Sequence, residues 1–140
     1  MASKQTNRYA VLICARNEEN VIGALLDSLH AQTYPAERLK LFVLADNCTD
    51  HTADEAQSHG ARVFSRLDTV KIGKGYALET LLWLVDREEP AGFDGYFVFD
   101  ADNTLDKDFI AAMDRRLASG EEVVTGFRLG CCWRGRDCPR

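Results

Sequence analysis

A chain of 140 residues, 46% of them apolar and 28% charged, is one domain's worth of sequence with enough apolar surface for its own core, a composition that does not indicate disorder or low complexity for the chain as a whole. The net charge of −5, from 17 basic and 22 acidic residues with no basic stripe, argues against nucleic acid as the main partner. No apolar run approaches a membrane span and residues 1–7 are too polar and short for a secretory signal, so the expected location is the cytoplasm.

Tyr9-Ala10-Val11-Leu12-Ile13-Cys14 is a continuous apolar run of the kind a parallel strand shows when both its faces are covered. It stops at the polar loop Ala15-Arg16-Asn17-Glu18-Glu19-Asn20, after which Val21, Ile22, Leu25, Leu26 and Leu29 recur at helical spacing as far as Tyr34-Pro35. Asn17 is the expected N-cap of that helix, with acids in its first turn. Residues 39–45 read as a second strand ending on Asp46. Asp50 or Thr49 is placed to cap a helix over 53–58, which Gly60 closes in a left-handed conformation, and residues 61–65 give a third, shorter strand.

The loop Asp68-Thr69-Val70-Lys71-Ile72-Gly73-Lys74-Gly75 follows. Its glycines permit a close backbone approach and its lysines supply point charges, both useful around a diphosphate, although the Walker spacing is absent. Leu78, Leu81, Leu82 and Val85 mark the next helix, up to Arg87-Glu88-Glu89-Pro90. Tyr96 to Phe99 is a short buried-strand signature that stops abruptly at Asp100-Ala101-Asp102-Asn103-Thr104. A helix over 107–117, stopped by Gly120, and a last strand over 122–127 complete the periodic sequence.

Strands and helices alternate throughout, which implies a Rossmann-like, mostly parallel sheet with helices on both faces. In such sheets ligands bind at the carboxyl ends of the strands. Three loops at that edge hold Arg16 and Glu18, then Asp46, then Asp100 and Asp102. Asp100 and Asp102 are one residue apart and lean to one side as the strand ends; two such hard oxygen ligands suit a divalent cation that keeps several waters and carries a phosphate.

These segments resemble family 2 glycosyltransferases of the GT-A fold. The resemblance rests on Ala15-Arg16-Asn17-Glu18-Glu19 as the loop after the first strand, Asp46-Asn47-Cys48-Thr49-Asp50-His51-Thr52 as D-x-x-S/T-D-x-T, Gly73-Lys74-Gly75-Tyr76-Ala77-Leu78 as G-K-x-x-A-L, and Asp100-Ala101-Asp102 as D-x-D. It implies an α/β chain of which residues 1–128 are the nucleotide-sugar-binding part of an incomplete GT-A domain. Ala15, Arg16 and Glu18 would line the nucleoside pocket, Asp46 would contact the base and Lys74 would sit near the donor. Asp100 would lie at ribose and metal, and Asp102 would ligate Mn²⁺ or Mg²⁺ on the diphosphate, with Ala101 between them. A UDP-sugar is the donor this resemblance suggests first; it leaves the acceptor unassigned, with a glycan or a lipid-linked molecule as the classes to expect. Membrane association is expected only through further regions, at the inner face.

Two departures stand out. Cys14 occupies a position where the family often has proline, and neither the family's acidic general base nor its Q-x-x-R-W segment is present, so the base is expected beyond residue 140. Residues 129–140 carry three Arg, one Asp and Cys131, Cys132 and Cys138, lack strand or helix periodicity and lack zinc-ligand spacing, which suggests a disordered or foreign end. Two alternatives remain. Phe99-Asp100-Ala101-Asp102-Asn103-Thr104-Leu105 also resembles the first motif of haloacid-dehalogenase-like phosphatases, with Asp100 as nucleophile. The other is a nucleotide-binding module without turnover.

Overall fold

A computed structural model describes residues 7–118 and two short segments beyond them, Phe127–Leu129 and Cys132–Arg134. Four strands, β1 (Tyr9–Ala15), β2 (Leu39–Asp46), β3 (Arg62–Arg66) and β4 (Gly95–Asp100), form a wholly parallel sheet in the order β3-β2-β1-β4. β1, the most continuously apolar strand, lies inside the sheet, where it pairs with both β2 and β4. Parallel neighbours require crossovers, and α1 (Ile22–His30), α2 (Thr52–Ser58) and α3 (Lys74–Glu88) supply them.

Strand alternation divides the core in two. Val11, Ile13, Leu41, Val43, Phe97 and Phe99 face one way, against Ile22, Leu25, Leu26 and Leu29 of α1 and Phe109, Ile110 and Met113 of α4 (Phe109–Ala118). Ala10, Leu12, Phe42 and Leu44 face the other way, against Ala77, Leu81 and Val85 of α3. Each fully buried leucine or isoleucine stabilises the fold by about 2 kcal/mol. α3 covers β1 and β2 but leaves Tyr96 and Val98 of β4 exposed on that same face. At the sheet's amino edge Gly95 admits the Tyr9 ring, since a Cβ there would stand 2.9 Å from it.

The helix starts differ from expectation in an informative way. α1 is preceded by Val21, with no side-chain cap and no acid in its first turn; the Val21 and Ile22 amides bond to the Glu18 carbonyl instead. Asn17 is not a cap because it is used elsewhere, in a left-handed conformation (φ 54°) that asparagine tolerates, accepting the Thr49 amide at 2.8 Å. α1 also stops at His30, earlier than the Tyr34-Pro35 breaker, because Gln32 leaves the helix to cross-link: it donates to the Ser28 and Asp106 carbonyls and accepts the Ile110 amide in the first turn of α4. Asp50 does serve α2, one residue ahead of the formal cap, accepting the Thr52 amide at 3.0 Å, and Gly60 follows α2 at φ 88°.

A second, small sheet was not expected. β5 (Thr104–Leu105), β6 (Phe127–Leu129) and β7 (Cys132–Arg134) pair in the order β5-β7-β6. Two- and three-residue strands are too short to display a period, and the middle one, β7, is held by two neighbours that are distant or adjacent in sequence. Most of the strand expected over 122–127, its preceding Gly120 and the rest of the 129–140 tail lie outside the described residues. No helix among the described residues is long and apolar enough to cross a membrane.

Candidate nucleotide-sugar site

The carboxyl ends of β1, β2 and β4 and the start of α3 surround one cleft of about 390 Å³. Ala15, Arg16, Glu18, Asp46, Lys74, Asp100, Ala101 and Asp102, all singled out in the sequence, line it, together with Cys14, Gly73 and Ala77. They meet because β1, β2 and β4 are in parallel register, Cys14 pairing with Leu44 on one side and Asp100 on the other, so that three loops leave the sheet at the same height.

Each loop is braced by its own polar residues. After β4, Asn103 accepts the Asp100 amide on Oδ1 at 3.0 Å while its own amide donates to the Asp100 carbonyl, a reciprocal turn that presents Ala101 and Asp102 at the cleft. Asn103 is 1% exposed, and its Nδ2 has no hydrogen-bond partner among the described residues. After β1, the loop is stapled to the loop after β2: Thr52 Oγ1 accepts the Glu18 amide at 2.9 Å, Asp50 Oδ2 accepts the Glu19 amide, and Glu19 accepts the His51 amide. The Thr52 hydroxyl in turn donates to Asp50, which holds that carboxyl below the usual carboxylate range. Of the acidic residues in the segment from Asp46 to Thr52, then, Asp46 faces the cleft and Asp50 is a brace.

Before α3, Gly73 adopts φ 122° and opens the helix with Lys74 as its first residue. A Cβ at Gly73 would meet nothing, so the backbone conformation alone calls for glycine. Lys74 Nζ forms an ion pair with Asp100 Oδ1, both side chains about half exposed. Burial pushes the Cys14 thiol up to about 11, so the cleft floor carries a neutral sulfhydryl.

Of the four carboxylates that line the cleft, Asp100 and Asp102 stand one residue apart and could hold a divalent cation together; no group of three or more His, Cys, Asp or Glu side chains among the described residues is arranged to hold one. Two carboxylates fit Mn²⁺ or Mg²⁺ arriving with a diphosphate, because such ions keep waters and phosphate oxygens in most coordination positions.

Asp106, Asp108 and Asp114 do not line the cleft. Asp114 lies at the opposite edge, accepting the Tyr9 hydroxyl at 2.6 Å, and Asp108 accepts the Thr33 hydroxyl. Arg66 is the residue that sequence reasoning missed. It is the register partner of Asp46, and its Nε donates to Asp46 Oδ1 at 2.8 Å. Opposite charges at the ends of two consecutive strands, residues 46 and 66, were the available signal.

A family model described as "Glycosyltransferase like family 2" matches residues 7–131. The chain belongs to that family. The match takes in the Asp pair and all three upstream segments, which sets aside the phosphatase alternative. The family 2 chain is 33% identical over 135 residues to the probable glycosyltransferase YdaM of Bacillus subtilis (strain 168), covering 90% of this chain and 31% of YdaM. It therefore spans about a third of the length of that relative. Among solved structures, the GT-A fold is shared with S. aureus TarS (TM-score 0.72, 20% identity, 95% of this chain and 23% of TarS). It is shared as well with the glucosyl-3-phosphoglycerate synthase of Mycobacterium tuberculosis in complex with Mn²⁺, UDP and phosphoglyceric acid (TM-score 0.62, 28% identity, 89% of this chain and 44% of that one).

Proposed function

We propose that the cleft is the donor site of a glycosyltransferase and binds a nucleoside diphosphate sugar with a divalent cation, a UDP-sugar first. The observation that carries this reading is the convergence of Arg16, Glu18, Asp46, Lys74, Asp100 and Asp102 on one cleft at the strand ends. The mycobacterial synthase, whose structure holds Mn²⁺ and UDP, supports the choice of metal and base.

In this reading Ala15, Arg16 and Glu18 flank the nucleoside, and Asp46 accepts an N–H from the base. Asp100 serves the ribose and the metal, and Asp102 is the direct metal ligand, with Ala101 setting the one-residue spacing between them. Lys74 leaves Asp100 for the diphosphate oxygens when the donor arrives, so an ammonium charge moves to where negative charge develops as the glycosyl bond breaks. The cation, when bound, supplies Lewis-acid neutralisation of the departing nucleoside diphosphate. No described residue is assigned as general base for the acceptor. The acceptor proposed is a glycan or a lipid-linked molecule, and the location proposed is the cytoplasm or the inner membrane face. The neutral Cys14 thiol adds no charge to compete with the diphosphate.

Calorimetric titration with UDP, GDP and their sugars, with and without Mn²⁺, tests the site. Metal-dependent binding of one nucleotide that Asp102→Asn abolishes is the expected result. A folded chain that binds none of them defeats the reading, and binding without transfer or donor hydrolysis assigns the chain to a binding module.

A further inference from the structure

The base-reading carboxylate of the proposed donor site is itself held by a side chain that does not line the cleft. Asp46 and Arg66 are paired across β2 and β3, and each side chain is only 10% exposed, so the pair is largely shielded from the water that weakens surface ion pairs. Both hydrogen bonds made to the Asp46 carboxylate, from Arg66 Nε at 2.8 Å and Asn47 Nδ2 at 3.4 Å, go to Oδ1. Oδ2 has no partner among the described residues, and Asp46 lines the cleft.

The far side of the same guanidinium is committed to the loop that leads to Lys74. Nη2 donates to the Lys71 carbonyl at 2.7 Å, and Nη1 stands 3.5 Å from Asp68 Oδ2. Asp68 Oδ1 accepts the amides of Val70 and Lys71, and its backbone exchanges hydrogen bonds with the side chain of Asn47, which sits at φ 52°. Arg66 thus touches, with one rigid planar group, both the carboxylate at the end of β2 and the loop before α3.

We propose that Arg66 is the positioning residue for nucleobase recognition: it locks Asp46 so that Oδ2 faces the cleft as a fixed acceptor for the N–H edge of the base. This rests on the donor-site reading. The planar fork matters, because a lysine ammonium offers its donors from a single nitrogen and cannot hold the carboxylate and the Lys71 carbonyl in fixed directions together. Such an acceptor selects a base with a ring N–H, as at N3 of uracil or N1 of guanine; a base that presents a ring-nitrogen lone pair there, as cytosine and adenine do, leaves the carboxylate unpaired and is disfavoured.

The test is a double-mutant cycle read by calorimetry, with UDP, GDP and inorganic pyrophosphate as probes in the presence of Mn²⁺. Arg66→Met is expected to weaken the better-bound nucleotide about tenfold, in keeping with the loss of a charge-assisted hydrogen bond's orientation, and to leave pyrophosphate within about twofold. In an Asp46→Asn background the same change costs less than about twofold, because the group it positions is gone. Arg66→Lys recovers less than half of the loss, and it replaces Arg66→Met in the cycle if circular dichroism shows that variant unfolded. Equal nucleotide losses in both backgrounds, or a parallel loss of pyrophosphate, overturn the proposal and reduce Arg66 to a loop tether. A wild-type chain that binds neither nucleotide overturns the donor-site reading itself, a result distinct from either.

Discussion

The two edges of the central sheet are built from the same strands and leave different charges within reach of a ligand. At the amino edge Arg8 and Lys40 share Glu89, Arg62 pairs with Glu88, and Asp114 accepts Asn7 and the hydroxyl of the fully buried Tyr9. Arg8 and Arg62 hold Glu89 and Glu88 below the usual carboxylate range, and burial pushes the Tyr9 phenol well above its ordinary value. At the carboxyl edge Asp100 has one exposed lysine partner and stands beside Asp102 on an open cleft. The amino edge even holds the larger cavity, about 440 Å³ against 390 Å³, yet Lys40, Arg62 and Glu88 on its wall are already paired. The cleft proposed as the donor site is set apart by Asp102 and by the half-exposed Lys74–Asp100 pair beside it, not by its volume.

Changing each edge separately should move binding or stability, but not both. The largest effect is expected from Asp102→Asn, which should weaken metal-dependent nucleotide binding by about 100-fold in calorimetry, while the thermal melt stays in place. Asp114→Ala should do the reverse: the buried Tyr9 hydroxyl loses its acceptor, which costs about 2 kcal/mol in urea unfolding, and nucleotide affinity holds. Lys74→Met should sharpen the contrast more gently, tightening free Mn²⁺ by about threefold through loss of a competing, solvent-screened cation while it weakens UDP.

The smallest effect is on pH. The Lys71 and Val70 amides hold the Asp68 carboxyl below the usual range, so its contribution to the loop is complete above the ordinary carboxylate pKa and is lost as pH falls through the lower folded value. Amide exchange at Val70 and Lys71 should show no carboxyl-linked loosening from pH 7 to 5, and loosening only below about pH 4. Loosening already at pH 6 would mean that Asp68 is not the clamp.

Much of the site could be read directly because its residues stand where strong patterns end. Asp46 and Asp100 each terminate an apolar run, and Gly73 precedes the first helical turn that Lys74 opens. The braces were harder. Asn17 resembles a helix cap by composition, yet it holds Thr49 across the gap between two loops, 32 residues away in sequence. Arg66 resembles any charged residue at a strand end until β3 is laid beside β2.

The sequence by itself determined the alternating parallel architecture and the family resemblance, and it singled out the residues that line the strand-end cleft, since all of these depend on local periodicity and on motifs only a few residues long. Only the tertiary structure decided which oxygens are spoken for: Asp50 is consumed by Thr52, Asp114 by Tyr9, one oxygen of Asp46 by Arg66, and one of Asp100 by Lys74. Those pairings depend on strand register and loop approach, and a hydrogen bond formed or missed over a few ångströms is what separates a structural carboxylate from one free to bind a ligand.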